Sequence, residues 1–235
     1  MTNFNYHGPL VVFDLDDTLF RERDFCRSGF RHVLARVENE VGEIPETVFD
    51  EMNRALTSRQ NPFDVFESEI KPLYISQGLD WNLDAFIADY RMHTPDINLA
   101  GGMLDILRNL QKRRVIMGIV TDGRSNSQRG KISALGLDEF IDRSNILISE
   151  ETGFDKTSSE PFSFFVRKYP EANKFFYIAD NPSKDFLQPN LLGWETVCVP
   201  PHPDNVHPCV YPEDVIYHPS HHIESLSEII PIIFG

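Results

Sequence analysis

The sequence predicts an α/β fold: a three-layer core in which helices cover both faces of a parallel sheet, with a smaller α-helical unit inserted after the first strand. Three observations carry this reading. Short apolar runs of strand length recur at residues 10–13, 115–120, 146–149, 174–179 and 195–199, separated by stretches with helical spacing. The runs show little apolar–polar alternation, as expected of strands buried on both faces. Between the first two runs, residues 20–94 read as helix throughout, roughly 75 residues where a simple crossover needs far fewer.

The first strand, Leu10-Val11-Val12-Phe13, follows Gly8-Pro9 and stops abruptly at Asp14-Leu15-Asp16-Asp17-Thr18. In the inserted stretch, Phe25, Phe30, Val33, Leu34 and Val37 recur at helical spacing. Further helices are expected over 48–56, 63–73 and 83–90, broken at Gly42/Pro45, Asn61-Pro62 and Gly78. The core resumes over 97–102, and a helix over 103–112 feeds the second strand, which ends in Thr121-Asp122-Gly123. A helix over 125–135 stops at Gly136, a C-cap glycine. The third strand leads into a loop carrying Lys156, and a helix follows over 161–168. The fourth strand ends in Asp180-Asn181-Pro182-Ser183-Lys184-Asp185. The expected division is therefore 1–19 and 95–235 for a Rossmann-like α/β core domain, and 20–94 for an α-helical cap. Beyond the fifth strand the tail from Pro200 reads as irregular surface chain, and 226–234 as a helix returning to the core.

Composition narrows the function classes. A formal net charge of −14 argues against non-specific binding to nucleic acid or to an anionic membrane, both of which want a basic surface. Any anionic substrate must then be drawn in by a local site. Cys26, Cys198 and Cys209 are few, odd in number and without metal spacing, which fits a reduced, cytoplasmic setting. Residues 1–7 contain neither the basic nor the apolar region of a secretion signal, and no apolar run is long enough to span a bilayer. The tail gathers His202, His207, His218, His221 and His222 near Cys209, but the spacings match no zinc pattern. Nothing in the sequence sets the oligomeric state.

Three strands ending in oxygen-bearing side chains would meet on one edge of a parallel sheet, where open α/β folds keep their chemistry. With Lys156 between the last two, the set comprises hard oxygen ligands, a carboxylate nucleophile and a cation for a phosphate. That set suits Mg²⁺-assisted phosphoryl transfer.

In this ordered set the sequence resembles the haloacid dehalogenase (HAD) superfamily, whose phosphatases carry DxDx[TV] on the first strand, Thr or Ser on the second, a lysine, and an acidic pair on the fourth. The resemblance implies Asp14 as nucleophile, forming an aspartyl-phosphate that splits one hard hydrolysis into two easier steps. It implies Asp16 as the acid and base for leaving group and water, with its backbone carbonyl offered to Mg²⁺. Thr121 and the backbone N–H of Asp122 would bind phosphate oxygens, and Lys156 would hold the transferring phosphoryl. Asp180 joins Asp14 and Asp16 as the metal set, with Asp185 orienting the lysine and metal waters from behind. Asp17 reads as a turn residue and Thr18 as a brace within the loop. In the family the helical cap closes over the site and sets substrate choice.

This chain departs from the pattern in two places: Thr157 stands where proline usually follows the lysine, and Ala179 where glycine precedes the acidic pair. Asp155 beside Lys156 offers the alternative of a surface ion pair. Gln128 and Lys131 occupy positions common in this branch of the family but read as helix-surface residues. Arg21, Arg23, Arg27 and Arg124 could each clamp a second anionic group, although a solvated helix face explains each singly. Phe20 and Phe25 suit core packing as well as stacking. The expected function is a Mg²⁺-dependent phosphatase acting on a small phosphorylated metabolite, a sugar phosphate or nucleoside monophosphate. The alternatives are a phosphosugar mutase of the β-phosphoglucomutase kind and a catalytically silent binding protein on the same scaffold.

Overall fold

The structure, a computed structural model, describes residues 6–235; residues 1–5, part of the stretch read above for a secretion signal, lie outside it. In chain order the elements are β1 (Pro9–Phe13), helices α1 (Glu22–Val41), α2 (Thr47–Thr57), α3 (Pro62–Ser76) and α4 (Leu83–Met92), then α5 (Met103–Lys112). There follow β2 (Ile116–Thr121), α6 (Ser125–Ala134), β3 (Ile146–Ile148), α7 (Ser149–Thr152), α8 (Glu160–Lys168) and β4 (Lys174–Ala179). The chain closes with α9 (Leu187–Leu191), β5 (Glu195–Cys198), β6 (His221–His222) and α10 (Ile229–Phe234). It divides into two compact units, one running up to Arg21 and again over Asn98–Gly235, the other Glu22–Ile97.

The first unit is a six-stranded sheet in the order β3-β2-β1-β4-β5-β6, with every pairing parallel. β1 lies centrally, between β2 and β4, and its residues from Leu10 to Phe13 are fully buried, which is why its sequence lacks alternation. One face packs Phe162 and Phe165 of α8 against Val12, Val120, Tyr177 and Trp194. Gly118 sits in mid-strand because the Phe165 ring takes the space a side chain would need: a Cβ there would lie 2.6 Å from the ring.

The tail is more ordered than its composition suggests. β6 adds a sixth strand, pairing Val197 with His221 and Cys198 with His222. It is held from below by Asn190, whose amide donates to the carbonyls of Ile216 and His218. Thr196 completes the anchor, accepting from the backbone N–H of Ser220. A two-residue strand held largely by side-chain anchors leaves no apolar run to read, so the expectation of irregular chain is corrected here. α10 follows, with Ile229 and Ile233 buried as expected of a helix packing back.

The second unit is a four-helix assembly around Phe30, Val33, Val37, Val48, Met52, Phe66, Ile70 and Phe86. Asn61 and Asn82 cap α3 and α4 by accepting from Phe63 and Ala85 backbone N–H groups, and Pro62 opens α3 where its missing donor costs nothing. Phe25 is buried here, edge-on to Tyr90 at 5.7 Å, and so serves packing. Among the described residues no helix is long and apolar enough to cross a membrane.

Candidate active site

The strand register assembles the site. Phe13 lies opposite Ile119 on one side and Ile178 on the other, so Asp14, Thr121 and Asp180 all emerge at one end of the three central strands. The Asp14 backbone N–H continues the ladder by donating to Ile178 at 2.9 Å. The chain then turns sharply through Asp17, whose φ of 53° lies in the left-handed region that Asp tolerates better than most residues. Thr18 donates its hydroxyl to Asp14 Oδ2 at 3.3 Å, bracing the loop.

Lys156 is buried and bridges two carboxylates, donating to Asp14 Oδ1 and, at 2.9 Å, to Asp185 Oδ1. The surface pairing with Asp155 does not occur: Asp155 accepts from Thr157 backbone and hydroxyl instead. Asp185 in turn accepts from the Asn181 backbone N–H, closing the loop after β4. Asp14, Asp180 and Asp185 each offer an oxygen within 4.8 Å of the others, and all three are buried. Asp185 thus lies within the carboxylate cluster itself. The Asp16 side chain lies outside it, turned toward α6.

That orientation has two causes, and both correct the surface reading of α6. Lys131 donates to Asp16 Oδ1 at 2.7 Å, and Gln128 donates to Asp16 Oδ2 at 2.8 Å. Gln128 also donates to the Thr121 hydroxyl oxygen at 2.6 Å and to the Asp122 carbonyl. Both residues are buried because their face of α6, shared with Ile132, turns toward the end of β2. Thr121 accepts from Gln128, which leaves its own hydroxyl hydrogen to give. Asp122 fixes the lysine loop by accepting from the Lys156 backbone N–H at 3.1 Å, and pairs with Lys184 at 2.6 Å.

Two of the four arginines singled out belong to the core unit. Arg21 donates to Asn205 at 3.3 Å, whereas Arg124 is exposed beside Glu150. In the other unit Arg23 is buried and Arg27 faces Asp24 at 4.0 Å. Phe20 is fully buried and bridges to Leu99, which makes it a packing residue.

The electrostatics follow from crowding. Burial pushes Asp14 up to about 7, opposed by Lys156 and reinforced by Asp185 and Asp16. Burial, then the charges of Asp14, Asp185 and Asp17, push Asp180 up to about 9. Burial disfavours the charge on Lys156, yet Asp14 and Asp185 outweigh it and hold the ammonium well above its usual range. One lysine against three buried carboxylates leaves the cluster short of positive charge. All-oxygen donors with a charge deficit fit a hard divalent cation.

Comparison with known proteins identifies the family. The sequence pattern of the haloacid dehalogenase-like hydrolases matches residues 11–199. The chain belongs to that family. HAD-hydrolase YfnB of Bacillus subtilis is 31% identical over 231 residues, covering 95% of this chain and 94% of the relative. A crystal structure of YfnB bound to magnesium covers 98% of this chain at a TM-score of 0.59, with 22% identity between the matched structures and 100% of the YfnB chain covered. Two more distant HAD relatives are the ribulose-1,5-bisphosphate 5-phosphatase of Halopiger xanaduensis, 26% identical over 203 residues, and the glyceraldehyde 3-phosphate phosphatase of Methanocaldococcus jannaschii, 24% over 197. They cover 81% and 80% of this chain, and 84% and 82% of their own lengths are matched.

The residues that sequence reasoning passed over are Gln128 and Lys131 as members of the site, the carboxylate of Asp122, Lys184 and Asn205. For the first two a signal exists: they lie three apart, in phase with the apolar Ile132, on the helix that leaves the second strand. For Asn205 no spacing rule applies.

Proposed function

We propose that this HAD hydrolase is a Mg²⁺-dependent phosphatase of small sugar phosphates that works through an aspartyl-phosphate on Asp14. The observation that carries the reading is Lys156 shared between Asp14 and Asp185, with Asp180 completing a buried oxygen cluster. The phosphatase names of the two distant relatives support a phosphorylated sugar as the substrate class.

Asp14, Asp180 and Asp185 are the residues that would hold Mg²⁺, along with the Asp16 backbone carbonyl. The cation, when bound, supplies charge neutralisation for nucleophile and phosphate together. Asp14 Oδ attacks phosphorus while the bond to the sugar oxygen breaks. Asp16, once protonated from solvent and released at one oxygen by its α6 partners, gives the sugar oxygen a proton, and then takes one from the water that cleaves the acyl phosphate, returning Asp14 and releasing inorganic phosphate. Lys131 and Gln128 hold both Asp16 oxygens, so the carboxyl is oriented before substrate arrives. Lys156 and the Thr121 hydroxyl bind the transferring phosphoryl oxygens.

The test is rapid-quench kinetics with a sugar phosphate and para-nitrophenyl phosphate, with and without Mg²⁺, on the parent, Asp14→Asn and Asp16→Asn. Asp14→Asn should form no phosphoenzyme with either ester. Asp16→Asn should lose the sugar phosphate severely, since an alkoxide needs protonation, yet keep much of the first step with para-nitrophenolate. Phosphoenzyme from Asp14→Asn, or equal first-step losses in Asp16→Asn, would refute the roles. Isomerised sugar phosphate in place of inorganic phosphate would identify a mutase.

A further inference from the structure

Between β5 and β6 the chain runs out through Pro200-Pro201-His202-Pro203-Asp204-Asn205-Val206 and comes back to the carboxylate cluster. Asn205 is the point of contact. Its amide nitrogen donates to Asp180 Oδ2 at 3.2 Å, and its amide oxygen accepts from Arg21 Nη1 at 3.3 Å. The polarity of the two partners fixes the amide one way round: turned over, its oxygen would face a carboxylate and its nitrogen a guanidinium. The loop is pinned on either side. The Asn205 backbone N–H donates to the His202 carbonyl at 3.0 Å, and the Val206 backbone N–H donates to Asp17 Oδ2 at 2.9 Å. His202 adds an internal brace, its Nδ1 accepting from the Asp204 backbone N–H at 3.1 Å.

We infer that Asn205 is a positioning residue for Asp180: its amide fixes the rotation of that carboxylate toward the cluster, and Arg21 fixes the amide. The inference rests on the proposed reading of the cluster as a divalent-cation site. The other two cluster carboxylates are already held within the strand-end loops, Asp14 by Thr18 and Lys156, and Asp185 by Lys156 and the Asn181 backbone. Asp180 receives its side-chain donor from a residue 25 positions further on, in a loop that no strand-end motif includes. A carboxylate held by an outer hydrogen bond binds a cation without first losing its rotational freedom, and loss of such a partner typically weakens metal binding about 10- to 100-fold. Because Asp17 and Arg21 both belong to the segment that follows β1, the loop also ties the two strand ends that carry Asp14 and Asp180.

The experiment measures binding of Mn²⁺ alone, as loss of the free-ion electron paramagnetic resonance signal. It uses the full chain and the Asn205→Ala, Arg21→Ala, Asn205→Ala/Arg21→Ala and His202→Ala variants, with circular dichroism to confirm folding. Asn205 is only half-buried, so its truncation should leave the fold intact. Asn205→Ala should raise the Mn²⁺ dissociation constant about tenfold or more. Arg21→Ala should raise it less, and the double variant should be no worse than Asn205→Ala, since Arg21 acts through the amide. His202→Ala keeps the amide while removing the loop's internal brace, and should bind nearly as the parent does. Parent-like affinity in Asn205→Ala overturns the inference, as does an equal loss in His202→Ala, which would make loop order the cause. A parent that fails to bind Mn²⁺ removes both this inference and the metal-assisted reading. A parent that binds Mn²⁺ but hydrolyses no phosphate ester removes the proposed function alone and leaves Asn205 to be judged on affinity.

Discussion

Stripping divalent metal and raising the pH from 5 to 8 should destabilise this protein, the reverse of the trend for an ordinary salt-bridged acidic chain. Asp14 titrates near 3.8 when solvated and about 7 in the folded cluster, chiefly through burial. A carboxyl raised on folding stabilises the native state in its protonated form. Its contribution is complete below about 4 and is lost as pH climbs through about 7. Of that rise, the two pH units between 5 and about 7 fall inside the window and correspond to about 3 kcal/mol for Asp14 alone. Asp180, raised to about 9, acts in the same direction across the whole window, but part of its rise is repulsion by Asp14, so the two are not summed. At about 2–4 °C per kcal/mol for a chain of this size, the metal-free melting temperature should fall by roughly 6–12 °C across the window. The carboxylates held low by hydrogen bonds and ion pairs, Glu40, Asp142, Glu151, Asp155 and Glu195, lose stability only under more acid conditions and do not mask the effect. Saturating Mg²⁺ displaces the protons, so its stabilisation should be small at pH 5 and grow toward pH 8. Calorimetric melts at pH 5, 6.5 and 8, with chelator and with Mg²⁺, read both trends. In Asp14→Asn the metal-free slope should flatten. A metal-free melting temperature that stays level or rises with pH, or a Mg²⁺ effect as large at pH 5 as at pH 8, would refute the reasoning.

Two further predictions address a residue that holds Asp16 and the packing of β2 against α8. Lys131→Met removes the cation from a pair whose lysine is 5% and whose aspartate is 21% exposed; with Gln128 still bound, the cost should be about 2–3 kcal/mol by denaturant titration. Turnover should fall at least about tenfold while the Mn²⁺ dissociation constant changes little, because the oriented group is Asp16 and not the carboxylate cluster. Gly118→Ala drives a Cβ to 2.6 Å from the Phe165 ring and should destabilise by about 1–3 kcal/mol, with Phe165→Leu recovering part of the loss; additive effects would show that the two positions do not meet.

What the sequence made legible is what local rules govern. β4 and α5 fall at the expected residues because buried strands and amphipathic helices announce themselves by pattern over their own length. Gly136 does stop α6, at a φ of 65°. Parallel pairing then brings Asp14, Thr121 and Asp180 to one edge, a long-range consequence of a local feature, since each ends a strand. Asp17 illustrates the limit: that it forms a turn follows from its type, whereas its bond to Val206 does not. The insertion likewise appears as an excess of helix, and the observed break between units, at Glu22 and Ile97, lies two or three residues from the expected ends of 20 and 94.

The residues that stayed hidden share a physical reason. Gln128 and Lys131 are polar and lie on a helix, and burial of such groups is costly unless each finds partners that the helix itself does not carry. Those partners are Asp16, 112 and 115 positions away, together with Thr121 and the Asp122 carbonyl. The same logic applied in reverse explains Asn205, which is polar, half-buried and in a loop, and would pass for a solvated residue anywhere else. A carboxylate cluster needs donors on its outer side, and a fold supplies them from whichever segment passes closest. Here the strand ends determine where the charged groups converge, while α6 and the loop before β6 determine which way Asp16 and Asp180 face. The carboxyls of this site are therefore placed by the sheet but aimed by elements that carry no motif. Substitutions at Lys131 and Asn205 should accordingly separate the two functions, the first altering turnover and the second cation affinity.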